Sequence, residues 1–207
     1  MIVDPGIALK KFPCCYASHR AMDGVLALKA KHGFAAEDIA SLECRMPPGG
    51  MQVLTYPDPA TGLEAKFSLQ YSLAAGALDG KYTPWSFTDE AVNRPAVRGL
   101  LERVAAFEDE RCRGDDPLFE KRSSGSRGFV EVEVRLRNGV TDMLRIDKAP
   151  GHPSRELSWD EIERKFMDCA AYCGVPEAAA VTAYAKLRDL ERCSDASEIT
   201  RLLRPAD

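Results

Sequence analysis

Lys10, Lys11, Cys14, Cys15, Tyr16, His19 and Arg20 bring four cationic or titratable side chains, two thiols and a phenol into the eleven-residue stretch Lys10-Lys11-Phe12-Pro13-Cys14-Cys15-Tyr16-Ala17-Ser18-His19-Arg20. Lys10 and Arg20, with the free N–H groups of a helix opening at Ser18, could hold an anion. His19 titrates near neutral pH and could move a proton beside it, and Tyr16 could donate a hydrogen bond. The plainer reading is that a Lys-Lys pair is solvated and a lone histidine at a helix start is structural. Spacing alone does not decide between the two. Cys14 and Cys15 read as packed thiols, since nothing around them marks a nucleophile.

The elements that must position this stretch follow from the apolar pattern. Asp4-Pro5-Gly6 is a turn, Pro13 fixes a bend, and Ser18 is placed as N-cap of a helix whose apolar face (Met22, Val25, Leu26, Leu28) runs to about Lys31, with Gly33 as its stop. One further turn over 36–39 and a strand over 41–46 follow. Phe67, Tyr71, Ala74, Ala75 and Leu78 predict a helix between Thr61 and Gly80, with Thr61 and Glu64 as a capping box. Thr88 caps a turn that Pro95 interrupts. Val97, Leu100, Leu101 and Val104 then mark a short helix, and 104–107 a strand. The polar, Gly/Ser-rich segment 111–128 reads as a long loop, functional or mobile. Strict alternation from Val130 to Leu136 and the Asn138-Gly139 pair predict a hairpin over 129–146 closed by a two-residue turn.

After the breaker Ala149-Pro150-Gly151-His152-Pro153, Ser158 and Glu161 have capping-box spacing ahead of a helix carrying Trp159, Ile162, Phe166, Cys169, Ala170 and Cys173. Cys169 and Cys173 are expected to be small core residues. Helices near 176–190 and 197–203 complete the chain. The fold class is α+β: a small domain with a short antiparallel sheet and packed helices over 1–150, then an all-helical tail over 151–207. His32, at a helix end, and His152, in the Pro-Gly loop, read as structural. Arg111, Arg113, Lys121, Arg122 and Arg127 are interleaved with acids and read as a solvated loop.

Composition narrows the function. The chain has 207 residues, 45% hydrophobic and 29% charged, with 28 Lys plus Arg against 32 Asp plus Glu, which is not the basic balance of a nucleic-acid binder. No apolar run approaches the roughly 18 residues of a membrane span, and no signal pattern opens the chain. The expected location is cytoplasmic, with neither nucleic acid nor membrane as partner. Seven cysteines without a CxxC pair point to reduced thiols.

Three blocks carry a family resemblance. They are Lys10 to Asp23 (Lys-Lys-Phe-Pro-Cys-Cys-Tyr-Ala-Ser-His-Arg-Ala-Met-Asp), Glu64 to Ala74 (Glu-Ala-Lys-Phe-Ser-Leu-Gln-Tyr-Ser-Leu-Ala), and Ala149-Pro150-Gly151-His152-Pro153 followed by Leu157-Ser158 and Lys165-Phe166. Together they resemble the MmgE/PrpD family, whose members include 2-methylcitrate dehydratase, cis-aconitate decarboxylase and iminodisuccinate epimerase. The resemblance implies a large helical domain joined to a smaller α+β lid, usually as a homodimer, working without a metal or organic cofactor. The chain is then expected to be the lid and the returning helical tail, lacking the preceding helical half and needing it for activity.

The resemblance further implies catalytic roles for Lys10 and His19 and a small di- or tricarboxylate as substrate; joined to the chemistry of the residues themselves, it gives Lys10, Cys15, Tyr16 and Arg20 as the expected substrate contacts. Removing a proton beside a carboxylate builds enolate-like charge, which needs cations, a base and an acid for the leaving hydroxide. Decarboxylase members have a histidine where this chain has Cys15, which favours dehydration of a 2-methylcitrate-like acid, a reaction of propionate metabolism. The alternatives are epimerisation of an imino or amino dicarboxylate, and a non-catalytic remnant or self-associating module. The expected protein partner is a second copy or a separate helical-domain chain.

Overall fold

A computed structural model describes residues 6–205, so Asp4 and Pro5 of the first turn lie outside the described residues. Helix α1 (His19–His32) is followed by strand β1 (Ile39–Met46), and helices α2 (Gly62–Ala65), α3 (Leu69–Asp79), α4 (Asp89–Val92) and α5 (Pro95–Leu101) lead to β2 (Val104–Glu108). Strands β3 (Val130–Leu136) and β4 (Thr141–Ile146) precede the tail helices α6 (Trp159–Tyr172), α7 (Glu177–Arg188) and α8 (Ser197–Leu202). The protein is thus α+β, with a four-stranded sheet in the order β2-β1-β3-β4.

The sheet is mixed rather than antiparallel. β3 pairs antiparallel with β1 and β4, but β2 runs parallel to β1, with Leu42 opposite Val104 and Met46 opposite Glu108. A parallel return needs a crossover, and helices α2 to α5 supply it. Alternation makes one face of β3 fully buried (Val130, Val132, Val134), and α1 lies across it with Ala21, Met22, Val25 and Leu28 inward. Gly24 sets the closeness of that approach, since a Cβ there would come within 2.7 Å of Ile146 Cδ1 and 2.9 Å of Val132 Cγ2.

Two local readings are corrected. The segment 61–80 is not one helix: α2 ends at Ala65, and Ser68 caps α3 by accepting from the Tyr71 N–H at 3.1 Å. Both Ser68 and the buried Ser72 then satisfy local backbone, so the break is built in rather than frayed. The hairpin turn has three residues, not two. Leu136 N–H donates to Val140 O and Gly139 N–H to Leu136 O, with Gly139 at φ 91°, the left-handed geometry that a three-residue loop requires of its last position.

The segment 111–128 is folded against the domain. Short 3-10 turns occupy Glu110–Arg113, Phe119–Lys121 and Ser124–Ser126, and Cys112 and Phe119 are buried. In the tail the Ser158–Glu161 capping box forms as the spacing predicts. Apolar contacts there make a separate small cluster of Ala170, Val175 and Ala180 with Phe166, Met167, Ala179 and Leu203. Cys169 is half-buried and Cys173 is exposed, so Cys173 is not a core residue. It stands at the C-cap, where the helix face has already turned outward. No helix among the described residues is long and apolar enough to cross a membrane.

Candidate active site

The Lys10–Arg20 stretch runs over the end of the core and into α1 through a 3-10 turn, Tyr16–Ser18. This turn changes how α1 begins. Ser18 stands at the N-cap position in helical geometry and makes no side-chain cap; its hydroxyl donates to Cys15 O at 2.8 Å. The Ser18 and His19 N–H groups donate to Cys15 O and Tyr16 O. Those two N–H groups are therefore taken by the turn.

The predicted residues separate by depth. Lys10 is exposed, and Cys15 and Tyr16 are half-buried, with the Cys15 N–H donating to Lys66 O at 3.0 Å. His19 is fully buried, its ring 5.2 Å from Phe12 and 5.1 Å from Tyr16 between centroids, and neither ring nitrogen has a hydrogen-bond partner among the described residues. Burial drives its pKa down to about 4, Lys10 and Lys165 add to that, and the backbone carbonyls of Cys14 and Phe12 oppose it. His19 is therefore a neutral imidazole at pH 7 and, in this conformation, does not reach solvent.

Arg20 is also buried, at 1% exposure, and its Nη1 donates at 2.8 Å to the carbonyls of both Arg127 and Gly128. Burial lowers its pKa to about 10, against the pull of Cys44 and Tyr16, so it stays charged near neutrality. Its observed work is to hold the end of the 111–128 segment against α1. Burial likewise raises the Tyr16 phenol, and Cys14, with Sγ 3.4 Å from Ser18 Oγ, is pushed up to about 12 and remains a thiol.

Two lysines that the residue-by-residue reading left out belong with Lys10. Lys66 acts on Cys14 and Lys165 on His19 electrostatically, as Lys10 does on both. Lys66 is placed by the α2–α3 break and Lys165 by α6, so neither could be joined to Lys10 through helical periodicity. The signal available for the first was Ser68, an N-cap residue inside the apparent helix. Lys11 pairs with Glu161 at 2.6 Å, whereas among the described residues Lys10, Lys66 and Lys165 form no ion pair. Ammonium groups without carboxylate partners attract anions. His32 meets Asp142 at 2.7 Å, and His152 bonds to Ser154, both as structural contacts. No group of three or more His, Cys, Asp or Glu side chains among the described residues is arranged to hold a metal.

A family model of the MmgE/PrpD C-terminal domain matches residues 12–189. Cis-aconitate decarboxylase of Mus musculus is 33% identical over 207 residues, covering 96% of this chain and 39% of that protein. Cis-aconitate decarboxylase of Homo sapiens is 31% identical over 205 residues, covering 96% of this chain and 40% of its own length. The chain thus spans about two-fifths of the length of these curated relatives.

Proposed function

The chain belongs to the MmgE/PrpD family, and on that premise we propose that it forms one wall of a lyase site for a small hydroxy-polycarboxylate such as 2-methylcitrate, without metal or organic cofactor. The observation that carries this reading is that Lys10, Lys66 and Lys165, none of them in an ion pair among the described residues, each act electrostatically on Cys14 or His19, with Lys66 O accepting the Cys15 N–H and Lys165 lining a cavity with Phe12. Elimination removes a proton from the carbon beside a carboxylate, the electron pair forms the alkene, and the hydroxyl leaves as water with a proton from an acid. Charge accumulates on the carboxylate as the C–H bond breaks. Ammonium groups fixed beside it lower that barrier more than they stabilise the substrate.

In this reading Lys10 binds a substrate carboxylate, and Cys15 and Tyr16, both half-buried, border it. His19, sealed behind Phe12 and Tyr16, serves as a positioning residue, and Arg20 acts through the 111–128 segment it anchors. A single cationic wall cannot supply both base and acid, so turnover requires an opposing surface from the helical portion of the family, on the same or a separate polypeptide. A homodimer of the completed protein is part of this proposal.

A second reading, decarboxylation, is favoured by the names of the two relatives. On the resemblance, Cys15 stands where decarboxylase members carry histidine, which favours dehydration instead. The test is to supply 2-methylcitrate and cis-aconitate separately to this chain, joined to or mixed with a helical portion of the family. Alkene absorbance and released carbon dioxide are then followed. Alkene formation from 2-methylcitrate that is lost in Lys10→Ala supports the proposal. Carbon dioxide from cis-aconitate alone makes the protein a decarboxylase, altered stereochemistry without alkene makes it an epimerase, and no conversion of either acid removes the lyase reading.

A further inference from the structure

Where α6 meets the first part of the chain there is a cavity of about 330 Å³, within the range of small-molecule sites. Its lid-side wall is apolar, built from Phe12, Leu26, Tyr82 and Pro84, and its opposite wall is the face of α6 bearing Arg164, Lys165 and Asp168. Lys81 stands at the rim.

The charges in this cavity do not balance. Lys11 and Glu161, which also line it, neutralise each other at 2.6 Å. That leaves the cations Lys81, Arg164 and Lys165 against the carboxylate Asp168. Among the described residues none of the three cations forms an ion pair. Asp160 and Glu163 border an adjoining outer groove together with Lys81, Arg164 and Asp168, so they screen the mouth, while Lys165 lines the inner space and not that groove. An apolar wall facing a half-buried lysine selects for a molecule that is part hydrocarbon and part anion, because a fully hydrated ion would gain nothing from Phe12 and Tyr82.

We propose that this seam is a binding site for a small organic anion with an apolar body and one or two carboxylates, its charge held by Lys165 with Arg164 and Lys81 at the mouth. The site lies beside the Lys10–Cys15–Tyr16 wall, and Lys165, one of the three cations of the lyase reading, belongs to both, so the two readings are told apart by where a ligand's shifts centre and by Lys10→Ala. It shares Phe12 with that wall, since the Phe12 ring stands 5.0 Å from Tyr82 and 5.2 Å from His19. An occupant therefore ties α6 to the segment that carries His19.

The experiment is an amide-resolved NMR titration of the full chain with phenylsuccinate, with its dimethyl ester as the uncharged control. Shifts centred on residues 81–84 and 161–169, absent with the ester, are expected. Lys165→Gln should weaken binding about tenfold, the loss of one charge-assisted contact, with Lys10→Ala leaving it unchanged. Arg164→Gln, an exposed substitution, decides the matter if Lys165→Gln does not fold, and should weaken binding severalfold. Shifts centred on Lys10 and Lys66, equal binding of the ester, or no shifts overturn the proposal. Absence of lyase activity bears on none of these readouts.

Discussion

Lys11 Nζ lies 2.6 Å from Glu161 Oε1, while Oε2 of the same carboxylate accepts the Ser158 N–H at 2.9 Å. One side chain thus closes the capping box of α6 and ties that helix to the segment next to Lys10. Glu161→Gln keeps an acceptor for Ser158 and loses the ion pair. It should cost about 0.5–1 kcal/mol at low salt and less at high salt, whereas Ser158→Ala should cost about 1 kcal/mol at either. Urea melts at two ionic strengths check both; a Glu161→Gln cost indifferent to salt contradicts the ion-pair account.

His19 predicts a pH dependence of stability. Its folded pKa, about 4, lies below the ordinary histidine value of 6.5, so the unfolded chain binds the extra proton first. Stability is complete above pH 6.5 and falls as pH drops through 6.5 towards 4. The loss is at most about 3 kcal/mol, at about 1.4 kcal/mol per pH unit. Because neither ring nitrogen is hydrogen-bonded among the described residues, His19→Phe should be nearly neutral at pH 7 and should flatten this window. Denaturant midpoints at pH 7 and 5 read the difference, and an unchanged slope in the variant would remove His19 as its source.

Arg20 holds two backbone carbonyls through Nη1. Arg20→Met leaves the carbonyls of Arg127 and Gly128 without that donor and should destabilise by about 1–2 kcal/mol, part of the cost being offset because Nε and Nη2 are buried without partners among the described residues. Trypsin should then cut earlier within 111–128, where Arg111, Arg113, Lys121, Arg122 and Arg127 offer sites. Cleavage at the wild-type rate would show that the segment is held by its own turns.

Gly76 of α3 faces Tyr82, whose hydroxyl donates to Ser72 O at 2.6 Å. A Cβ at position 76 would fall 1.9 Å from that hydroxyl oxygen. Gly76→Ala should therefore cost about 2 kcal/mol despite the better helix propensity of alanine. An alanine variant as stable as wild type would mean that Tyr82 moves aside freely.

For the proposed chemistry, Lys10→Ala in the completed enzyme should lower kcat/KM by about a hundredfold, as for loss of one charged transition-state contact. Cys15→His should raise carbon dioxide release from cis-aconitate relative to alkene formation from 2-methylcitrate. Product analysis by proton NMR distinguishes the two, and an unchanged product ratio would detach Cys15 from reaction choice.

Local signals in the sequence carried far. The Ser158 capping box, the Gly33 and Gly80 helix stops, and the alternation of β3 depend on neighbours within a few residues, and each appears where its pattern predicts. The hairpin was legible but its turn length was not, because Asn-Gly suits a two-residue loop and also the last two positions of a three-residue one. The α2–α3 break was hidden because Phe67 keeps helical spacing while Ser68 redirects the backbone.

The sequence by itself determined the family, through blocks at 10–23, 64–74 and 149–166, and the presence of a cation-rich stretch ahead of α1. Only the tertiary structure decided which of those residues face solvent. Burial depends on what packs across from a residue, so His19 and Arg20, three and four residues after half-buried Tyr16, are sealed by Phe12 and by the 111–128 segment. The fold also brings Lys66 to bear on Cys14 and Lys165 on His19, relationships that depend on chain crossings more than 50 residues apart in sequence and on no local spacing.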